Sequence, residues 1–389
     1  MIVEDRQELI FVVENKLGGV GYFNWNIINY RPVKEKFFIK VILVDQLDSS
    51  HARFSDVFNA DEVIQFEYSG YENKYAVLMR LHKLFGIGPG AIVCNDGLEM
   101  ECLHLFGSPK TVFQIIHDFY NVRLAVKLGA VTDVFISHTK LFTNVLKSSD
   151  PAEVKSFHRP HGVLILDLKE KTYSGKIKVV FTGRLVESKG VLDLFAIDEI
   201  LKENEVGVEW SIIGAGPMET ALKLQWSNKG NIHFAKPSTN QEVISMMHEH
   251  HVFVLPTRFE GSPVTVLEAL SAGLVAIVSN LPGGIDEVLT SDVGFKIDLG
   301  DHKKFAEAIL FLNSNRDILA RMSANARLLA VDNFDIQKTS ESYFQLFRNF
   351  REFKRIGFNT STISIGFRLD RKWLPNFLVI FLRKMRVGK

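Results

Sequence analysis

The chain has 389 residues, enough for two domains of ordinary size, and a hydrophobic content of 46% that is typical of globular proteins. Its 46 basic and 45 acidic side chains nearly balance, so it lacks the overall basic excess that marks nucleic-acid-binding proteins, and no nucleic-acid partner is expected. The two cysteines are too few for a disulfide framework and indicate a reducing compartment, of which the cytoplasm is the simplest.

The amino-terminal stretch MIVEDRQELIFVV carries acidic side chains where a secretion signal needs basic ones, so export is not expected. The longest apolar run, FLVIFL at 377–382, is far shorter than the about 18 residues that cross a bilayer. We therefore expect a cytoplasmic protein without a membrane span.

Short apolar and β-branched runs, which predict strands, alternate with helical stretches in two blocks along the chain. The runs of the first block are ELIFVV (8–13), IKVILV (39–44), AIVCN (91–95), TVFQIIH (111–117) and DVFISH (133–138). After a polar, turn-rich break at 167–176 come IKVVFTG (177–183), EWSIIGAG (209–216), NIHFAK (231–236), HVFVLPT (251–257) and LVAIVSN (274–280). This alternation predicts an α/β fold of two Rossmann-like domains facing a central cleft, which is the default ligand site.

Glycine-bearing turns follow several of the predicted strands. The first, KLGGVGYFN at 16–24, together with Asp45 after the next strand, suggests a nicotinamide-dependent dehydrogenase, but Asn24 stands where the dinucleotide fingerprint needs its third glycine. These glycines either let the backbone approach a ligand closely or form an ordinary tight turn. The turn GAGPM at 214–218 leaves the same two alternatives open.

The loop FTGRLVESKG at 181–190 places two basic residues, Arg184 and Lys189, at the carboxyl end of a predicted strand. Paired cations at such a position neutralise a diphosphate leaving group. Taken alone, a loop arginine and lysine are more often simply solvated, so the neighbouring motifs have to decide.

The segment RFEGSPVTVLEALSAG at 258–273 predicts a loop and then a helix, with Ser262 as its N-cap and Pro263 at the first helical position. The loop opens at the carboxyl end of a strand, where the N–H groups and dipole of the helix start favour a phosphate. Glu268 lies roughly 9 Å along the helix from this cap, at about 1.5 Å per residue. That separation suits a nucleotide-sugar, with Glu260 at the sugar hydroxyls and Glu268 at the ribose. The alternative is a pair of solvated glutamates.

The ordered motifs GRLVESKG, IIGAGP and FEGSPVTVLEALSAGLVAIVSNLPGGIDEVL resemble the signature of the retaining family 4 glycosyltransferases, whose two-Rossmann arrangement is called GT-B. In the first half of the chain the resemblance rests on two glycines of the first turn and on IIHDFY at 115–120. It implies a catalytic set of His117, Arg184, Lys189 and Glu260, and a donor-binding set of Gly18, Gly19, Gly214, Gly216, Lys236, Gly261, Ser262, Pro263, Val264 and Glu268.

Within these sets the resemblance gives each side chain a role. Arg184 and Lys189 hold the donor diphosphate, Glu260 the transferred sugar and Glu268 the ribose hydroxyls, while His117 lies near the sugar. Backbone N–H groups of Gly261 and Ser262 face the sugar and the phosphate. The sequence departs from the family at HGVL, 161–164, where an Asn-Gly-Val-Asp-type turn is common, and at Lys236, where a glycine is common, so the nucleotide stays open.

The resemblance implies a retaining glycosyltransferase that moves a hexose from a nucleoside-diphosphate sugar to an acceptor hydroxyl. The setting it suggests is bacterial surface polysaccharide synthesis, such as lipopolysaccharide O-antigen, capsule or exopolysaccharide, on a lipid-linked glycan acceptor. The alternatives are a catalytically silent sugar-nucleotide-binding protein and a nicotinamide-dependent dehydrogenase.

No metal or other cofactor is expected. The chain contains no Asp-x-Asp motif of the kind that holds a metal at a donor diphosphate. The stretch HEHH at 248–251 lacks the spacing of a zinc motif and is predicted to be a solvated helix end. Charge on the leaving group then has to be met by basic side chains and a helix amino terminus.

These patterns divide the chain into an acceptor-binding domain at 1–168, a nucleotide-sugar-binding domain at 169–340 and a C-terminal helix with a basic, apolar tail at 341–389. An aromatic cluster at the start of this last part is predicted to be core, and comprises Tyr343, Phe344, Phe347 and Phe350. After residue 350 the chain has ten basic residues against two acidic ones. Two placements of the tail stay open: docking on the first domain, or contact of 366–389 with an anionic membrane surface on the inner face of the cytoplasmic membrane.

Overall fold

A computed structural model describes residues 6–149, 154–355, 366 and 368–387. The chain divides into one unit formed by Met1–Pro160 with Gln337–Lys389, and a second formed by His161–Ile336. The predicted α/β class is confirmed in both, since each is built around a parallel sheet.

The sheet of the first unit has seven parallel strands: β1 (Glu8–Glu14), β2 (Phe38–Gln46), β3 (Glu62–Tyr68), β4 (Gly90–Cys94), β5 (Thr111–Ile116), β6 (Val134–Ser137) and β7 (Lys155–His158). Their order across the sheet is β3-β2-β1-β4-β5-β6-β7, and Glu8 of β1 is level with Phe38 of β2 and Gly90 of β4. The central strands β4, β5 and β6 are buried along their whole length, as expected where helices cover both faces of a parallel sheet.

Five helices connect these strands: α1 (Gly19–Asn29), α2 (Lys74–Phe85), α3 (Gly97–Phe106), α4 (Phe119–Leu128) and α5 (Lys140–Ser149). Several of them begin at a side chain that accepts a hydrogen bond from the first helical turn, which satisfies an otherwise unpaired backbone N–H. Asp96 caps α3 in a capping box with Glu99, and Asp118 caps α4.

The second unit has six parallel strands: β8 (Ile177–Thr182), β9 (Val208–Ile213), β10 (Ile232–Ala235), β11 (Val252–Leu255), β12 (Val275–Ser279) and β13 (Gly294–Ile297). Their order is β10-β9-β8-β11-β12-β13. Its helices are α6 (Asp193–Glu203), α7 (Glu219–Gln225), α8 (Asn240–His248), α9 (Val264–Ser271), α10 (Gly284–Val288), α11 (His302–Ser314) and α12 (Arg316–Asn333).

Three further helices follow: α13 (Ile336–Arg348), α14 (Phe350–Phe353) and α15 (Asn376–Val387). The aromatic cluster predicted to be core is buried. Phe347 of α13 packs edge-on against Phe11 of β1 and Phe113 of β5, at ring-centroid distances of 5.8 and 5.2 Å. These helices therefore complete the first unit. In the part of the chain that the structure describes, no helix is both long and apolar enough to cross a membrane.

Both sheets reverse their strand order in the same way, between β1 and β4 in the first unit and between β8 and β11 in the second. In open α/β sheets, ligands bind beyond the carboxyl ends of the strands at such a switch point. The loops that follow these four strands are therefore the places where a site is expected.

Candidate functional site

The loops after β8 and β11 are bound to each other at the switch point of the second unit. The N–H of Arg258 donates to the carbonyl of Ser188 at 2.8 Å, and the hydroxyl of Thr257 donates to the same carbonyl at 3.2 Å. Gly190 has a φ of +68°, and a Cβ there would lie 2.0 Å from the carbonyl oxygen of Pro256. Only glycine allows this approach, which sets the two loops in one relative position.

This loop contact brings Lys189 and Glu260 together. The Lys189 ammonium donates to a Glu260 carboxylate oxygen at 2.5 Å, and only 18% and 11% of the two side chains are exposed. Burial raises the pKa of Glu260 above its usual range, and the charges of Lys189 and Arg184 offset only part of that effect. Three of the four residues predicted to be catalytic thus form one electrostatic group.

Two predicted glycines position the loop that carries Arg184. Gly214 has a φ of +143°, and a Cβ there would lie 2.0 Å from the Gly183 carbonyl oxygen. A Cβ at Gly216 would lie 2.4 Å from the Leu185 carbonyl oxygen. Close packing between two backbone segments, which is neither of the two alternatives left open for this turn, accounts for both glycines.

Helix α9 begins one residue later than predicted. Its cap is Pro263, whose ψ of 66° lies outside the helical range, so the prediction of Ser262 as N-cap and Pro263 as first helical residue was wrong. The N–H of Val264 instead donates back to the Ser262 carbonyl at 2.9 Å. Gly284 packs on this corner, since a Cβ there would lie 2.8 Å from the Gly261 carbonyl oxygen.

Glu268 lies about 8 Å from this cap along the helix axis, at about 1.5 Å per residue. It is buried, and burial raises its pKa to about 7, while a hydrogen bond from the Asn240 side chain acts in the opposite direction. The alternative of a solvated glutamate is therefore excluded at this position. Lys236 lies in the loop after β10. It lines a cavity beside α8, the helix that begins at Asn240.

The first unit holds the remaining predicted residues. Gly18 and Gly19 stand where α1 begins, and a Cβ added at either would meet nothing within 4 Å. Gly21 differs, because its Cβ would lie 2.9 Å from the Phe54 ring. Packing therefore explains the third glycine of this turn but not the first two, which border open space.

His117 follows β5 and belongs to a buried chain of hydrogen bonds. Its Nε2 lies 2.9 Å from Asn95 Oδ1, and its Nδ1 lies 3.0 Å from His138 Nε2. Asn95 exchanges side-chain hydrogen bonds with Asn24 of α1, and the Tyr343 hydroxyl lies 3.0 Å from His138 Nδ1. Burial lowers the pKa of His117 well below its usual value and that of His138 to about 3, so both rings are neutral at physiological pH.

The contacts of Asp45 do not support the dehydrogenase alternative. Asp45 is buried, accepts a hydrogen bond from Arg53 at 2.6 Å and another from Asn15 at 3.3 Å. A dinucleotide site needs this carboxylate at a ribose 2′-hydroxyl. Its ion pair with Arg53 instead fixes the loop after β2.

Sequence reasoning missed several residues that complete these groups: Asn24, Asn95, His138, Asn240 and Tyr343. Asn95 carried a usable signal, because it is a polar residue directly after a fully buried strand, next to the switch point. His138 likewise follows the buried strand β6.

The order of the strands in the second unit, with its reversal between β8 and β11, is that of a Rossmann-like domain. Residues 166–329 match the family model of the glycosyl transferases group 1. Over this region the chain is similar to that family, GT4.

Two curated relatives illustrate the similarity. The UDP-Gal:alpha-D-GlcNAc-diphosphoundecaprenol alpha-1,3-galactosyltransferase of Escherichia coli is 31% identical over 188 residues, which cover 46% of this chain and 48% of the relative. The capsular polysaccharide biosynthesis glycosyltransferase CapM of Staphylococcus aureus is 25% identical over 225 residues, 54% of this chain and 59% of the relative. The chain thus spans about half the length of the curated relatives it matches.

Solved structures extend the similarity to the whole fold. HepE of Anabaena, solved with UDP and glucose, superposes with a TM-score of 0.69 at 14% identity, over 88% of this chain and 100% of that one. At this identity the likeness shows the fold alone, and that fold is GT-B, as the sequence predicted.

Proposed function

We propose that this protein is a retaining glycosyltransferase that moves a hexose from a nucleoside-diphosphate sugar to a hydroxyl of a lipid-linked glycan, in bacterial surface polysaccharide synthesis. The observation that carries the proposal is the Lys189–Glu260 pair beside the Arg184 loop, at the switch point of a group 1 glycosyltransferase domain.

The donor is assigned to the second unit. Arg184 and Lys189 supply positive charge for the diphosphate, and Glu260 binds the transferred sugar through its hydroxyls. Glu268, the fifth residue of α9, accepts hydrogen bonds from the ribose. Uridine diphosphate is the nucleotide we favour, because the E. coli relative is named for UDP-Gal and HepE was solved with UDP.

The reaction requires no nucleophile from the protein. As the bond between the sugar C1 and the diphosphate oxygen breaks, the acceptor oxygen forms its bond to C1 on the same face, and the acceptor proton passes to the departing phosphate. Lys189 and Arg184 stabilise the charge that develops on this leaving group. His117 is neutral, and its two ring nitrogens already have Asn95 and His138 as hydrogen-bond partners, so the role assigned to it near the sugar is that of an uncharged neighbour and not of a cation.

The acceptor is assigned to the first unit. The proposal that this acceptor is a lipid-linked glycan is supported by the named substrate of the E. coli relative, a diphosphoundecaprenol-linked sugar. It is also supported by CapM, which is named for capsular polysaccharide synthesis. An acceptor carried on such a lipid places the enzyme at the inner face of the cytoplasmic membrane, with an anionic membrane surface as a partner.

The test is a comparison of ligands on the purified full-length chain. We expect saturable binding of UDP, no comparable binding of NAD, and slow release of UDP from one UDP-hexose when water replaces the acceptor. Binding of UDP without turnover of any donor, with or without a polyprenyl-diphosphate sugar, identifies a silent binding protein. Preferential binding of NAD overturns the assignment.

A further inference from the structure

Helix α15 is held against the first unit along one side by polar contacts. The Asn376 side chain accepts from the Asn73 N–H at 2.7 Å and donates to Glu72 at 3.0 Å. Arg383 donates to both carboxylate oxygens of Asp370 at 2.8 Å, and Val379 between them is fully buried. The described part of the predicted tail segment, 366 and 368–387, is thus docked on the first unit through these residues.

The opposite side of α15 exposes a continuous apolar surface. Its members, called the outer face here, have large exposed fractions: Phe377 74%, Leu378 36%, Phe381 59%, Leu382 36% and Met385 58%. At about 100° per residue these five positions occupy one arc of the helix, facing away from Asn376, Val379 and Arg383. Trp373, just before the helix, is 77% exposed. The docking alternative therefore accounts for one side of the helix and leaves the aromatic side uncovered.

Positive charge flanks the outer face at both ends. Arg371 and Lys372 are exposed before the helix, and Lys384 is exposed in its last turn. Segment 366–389 contains seven basic residues and a single acid, Asp370, whose carboxylate is paired with Arg383. The net charge of this segment is therefore positive.

We propose that the outer face of α15 docks on an anionic phospholipid surface. Phe377 and Phe381 enter the headgroup region, and the flanking bases bind lipid phosphates. A second copy of this chain fits less well, because the two ends of an antiparallel helix pair would bring bases against bases. Aromatic residues beside bases on a helix held parallel to a surface are what an interfacial anchor requires.

Two residues on the docked side of α15 border a cavity of the first unit. Asp370 and Arg383 line a space of about 450 Å³ at the carboxyl edge of the sheet, together with Glu14, Tyr68 and Tyr120. Most of the charged side chains in its lining are acidic and do not suit the diphosphate of a lipid-linked acceptor, so this cavity adds no support to the proposed function. Docking itself does not depend on that function.

Sedimentation with lipid vesicles tests the proposal on the full-length chain. We expect binding to vesicles that contain about 30% phosphatidylglycerol, weakening as salt rises, and roughly tenfold weaker binding to pure phosphatidylcholine. Trp373 provides a second signal, since the indole rings of Trp210 and Trp226 are buried and that of Trp25 is hydrogen-bonded to Val57. Its emission should shift to the blue on anionic vesicles, and Trp373→Phe should remove the shift.

The decisive variant is Phe377→Ser with Phe381→Ser, and its matched control is Leu224→Ser with Leu328→Ser, two exposed apolar residues of the second unit. Because all four side chains are exposed, both variants should unfold at the wild-type temperature. We expect the first to lose vesicle binding at least tenfold and the control to keep it. The double variant Lys372→Gln with Lys384→Gln should reduce the salt-sensitive part of vesicle binding.

Two results overturn the proposal. One is equal vesicle binding by the Phe377/Phe381 variant and the wild type. The other is a wild-type dimer that this variant converts to a monomer without any change in vesicle binding, which assigns the outer face to a second copy. Release of UDP from donor and water is measured in parallel. Its absence together with intact vesicle binding counts against the proposed function and leaves the docking surface standing.

Discussion

The Lys189 ammonium lies 2.5 Å from a Glu260 carboxylate oxygen although the two residues are 71 positions apart in the chain. The contact exists because the loops after β8 and β11 share hydrogen bonds at the Ser188 carbonyl. A carboxylate and a cation are thereby presented together at a strand edge, where a sugar and its diphosphate can each take one of them.

Lys189→Met should lower donor affinity and stability together. It leaves the buried Glu260 carboxylate without its closest cation, which costs about 2 kcal/mol of unfolding free energy for a pair that retains some exposure. Adding Glu260→Gln should restore the stability but not the turnover. Urea denaturation and UDP titration measure the two effects.

A matched control for this pair is Lys223→Met, which breaks the exposed Lys223–Glu219 pair of α7. That change should leave both the unfolding free energy and the UDP affinity nearly unchanged. If Lys189→Met behaves like this control in both measurements, the pair is not part of the donor site.

Substitution of Gly214 and of Gly19 should have different effects, because Gly214 is required by packing and Gly19 borders open space. Gly214→Ala should cost more than about 2 kcal/mol, because the new Cβ would lie 2.0 Å from a carbonyl oxygen at a positive φ. Gly19→Ala meets open space at the start of α1 and should leave the unfolding free energy equal or slightly higher. If Gly19 borders the ligand, its variant loses turnover while it stays fully folded. An active Gly19→Ala enzyme removes this residue from the site.

The strands that sequence reasoning missed were β3, β7 and β13, and each is an edge strand. Edge strands are partly exposed, so EVIQFEY of β3 mixes charged and apolar residues, and β7 and β13 have only four residues each. The central strands were predictable because both of their faces are covered, which makes them continuous apolar runs. Burial on both faces explains why the central strands were predicted but does not explain β10, a partly exposed edge strand that was predicted from NIHFAK.

Local sequence patterns did not predict the residues that contact His117. Asn95 and His138 contact His117 directly, and Tyr343 is connected to it through His138. The residues in these contacts lie 21 to 205 positions apart in the chain, so no local sequence pattern predicts the contacts. The prediction for HEHH was wrong: His250 and His251 are buried, and burial lowers the pKa of each to about 4. They precede β11 directly, and His251 Nδ1 accepts the Lys178 N–H of the neighbouring strand β8.

The histidine chain predicts a positioning role for His138. His138→Phe removes the 3.0 Å partner of His117 Nδ1, so the His117 ring loses its orientation while its Asn95 contact remains. We expect kcat to fall roughly tenfold to a hundredfold with little change in UDP affinity. His233→Ala, an exposed histidine of β10, is the control and should change neither. Equal losses in kcat and in thermal stability with either Phe or Gln at position 138 would indicate a purely structural residue.

Metal removal gives a further prediction. The chain has no Asp-x-Asp motif, and the proposed function assigns the compensation of leaving-group charge to Arg184 and Lys189. Excess chelator should therefore leave the rate of UDP release unchanged. A strict requirement for a divalent ion, restored by adding Mg²⁺ or Mn²⁺ back, would contradict this mechanism.

Glu268 predicts opposite effects on stability and on function. Its pKa is about 7 in the folded protein against an ordinary value of 4.5, because burial disfavours the charged form. Between these two values the folded state holds a proton that the unfolded state has lost, so the stability contribution of this residue falls as pH rises from 4.5 to about 7 and then stays constant.

Glu268→Gln should therefore be more stable than the wild type at about pH 8, by up to roughly 3 kcal/mol, and equally stable at about pH 4. The neutral amide avoids the cost of burying a charge but accepts weaker hydrogen bonds, so its affinity for UDP should fall. The wild-type affinity should itself weaken as pH falls below about 7, when the ribose-binding carboxylate takes up its proton, and the variant should lose this pH dependence. Urea denaturation and UDP titration across this pH range measure both effects. An unchanged, pH-independent UDP affinity in the variant would place the ribose elsewhere.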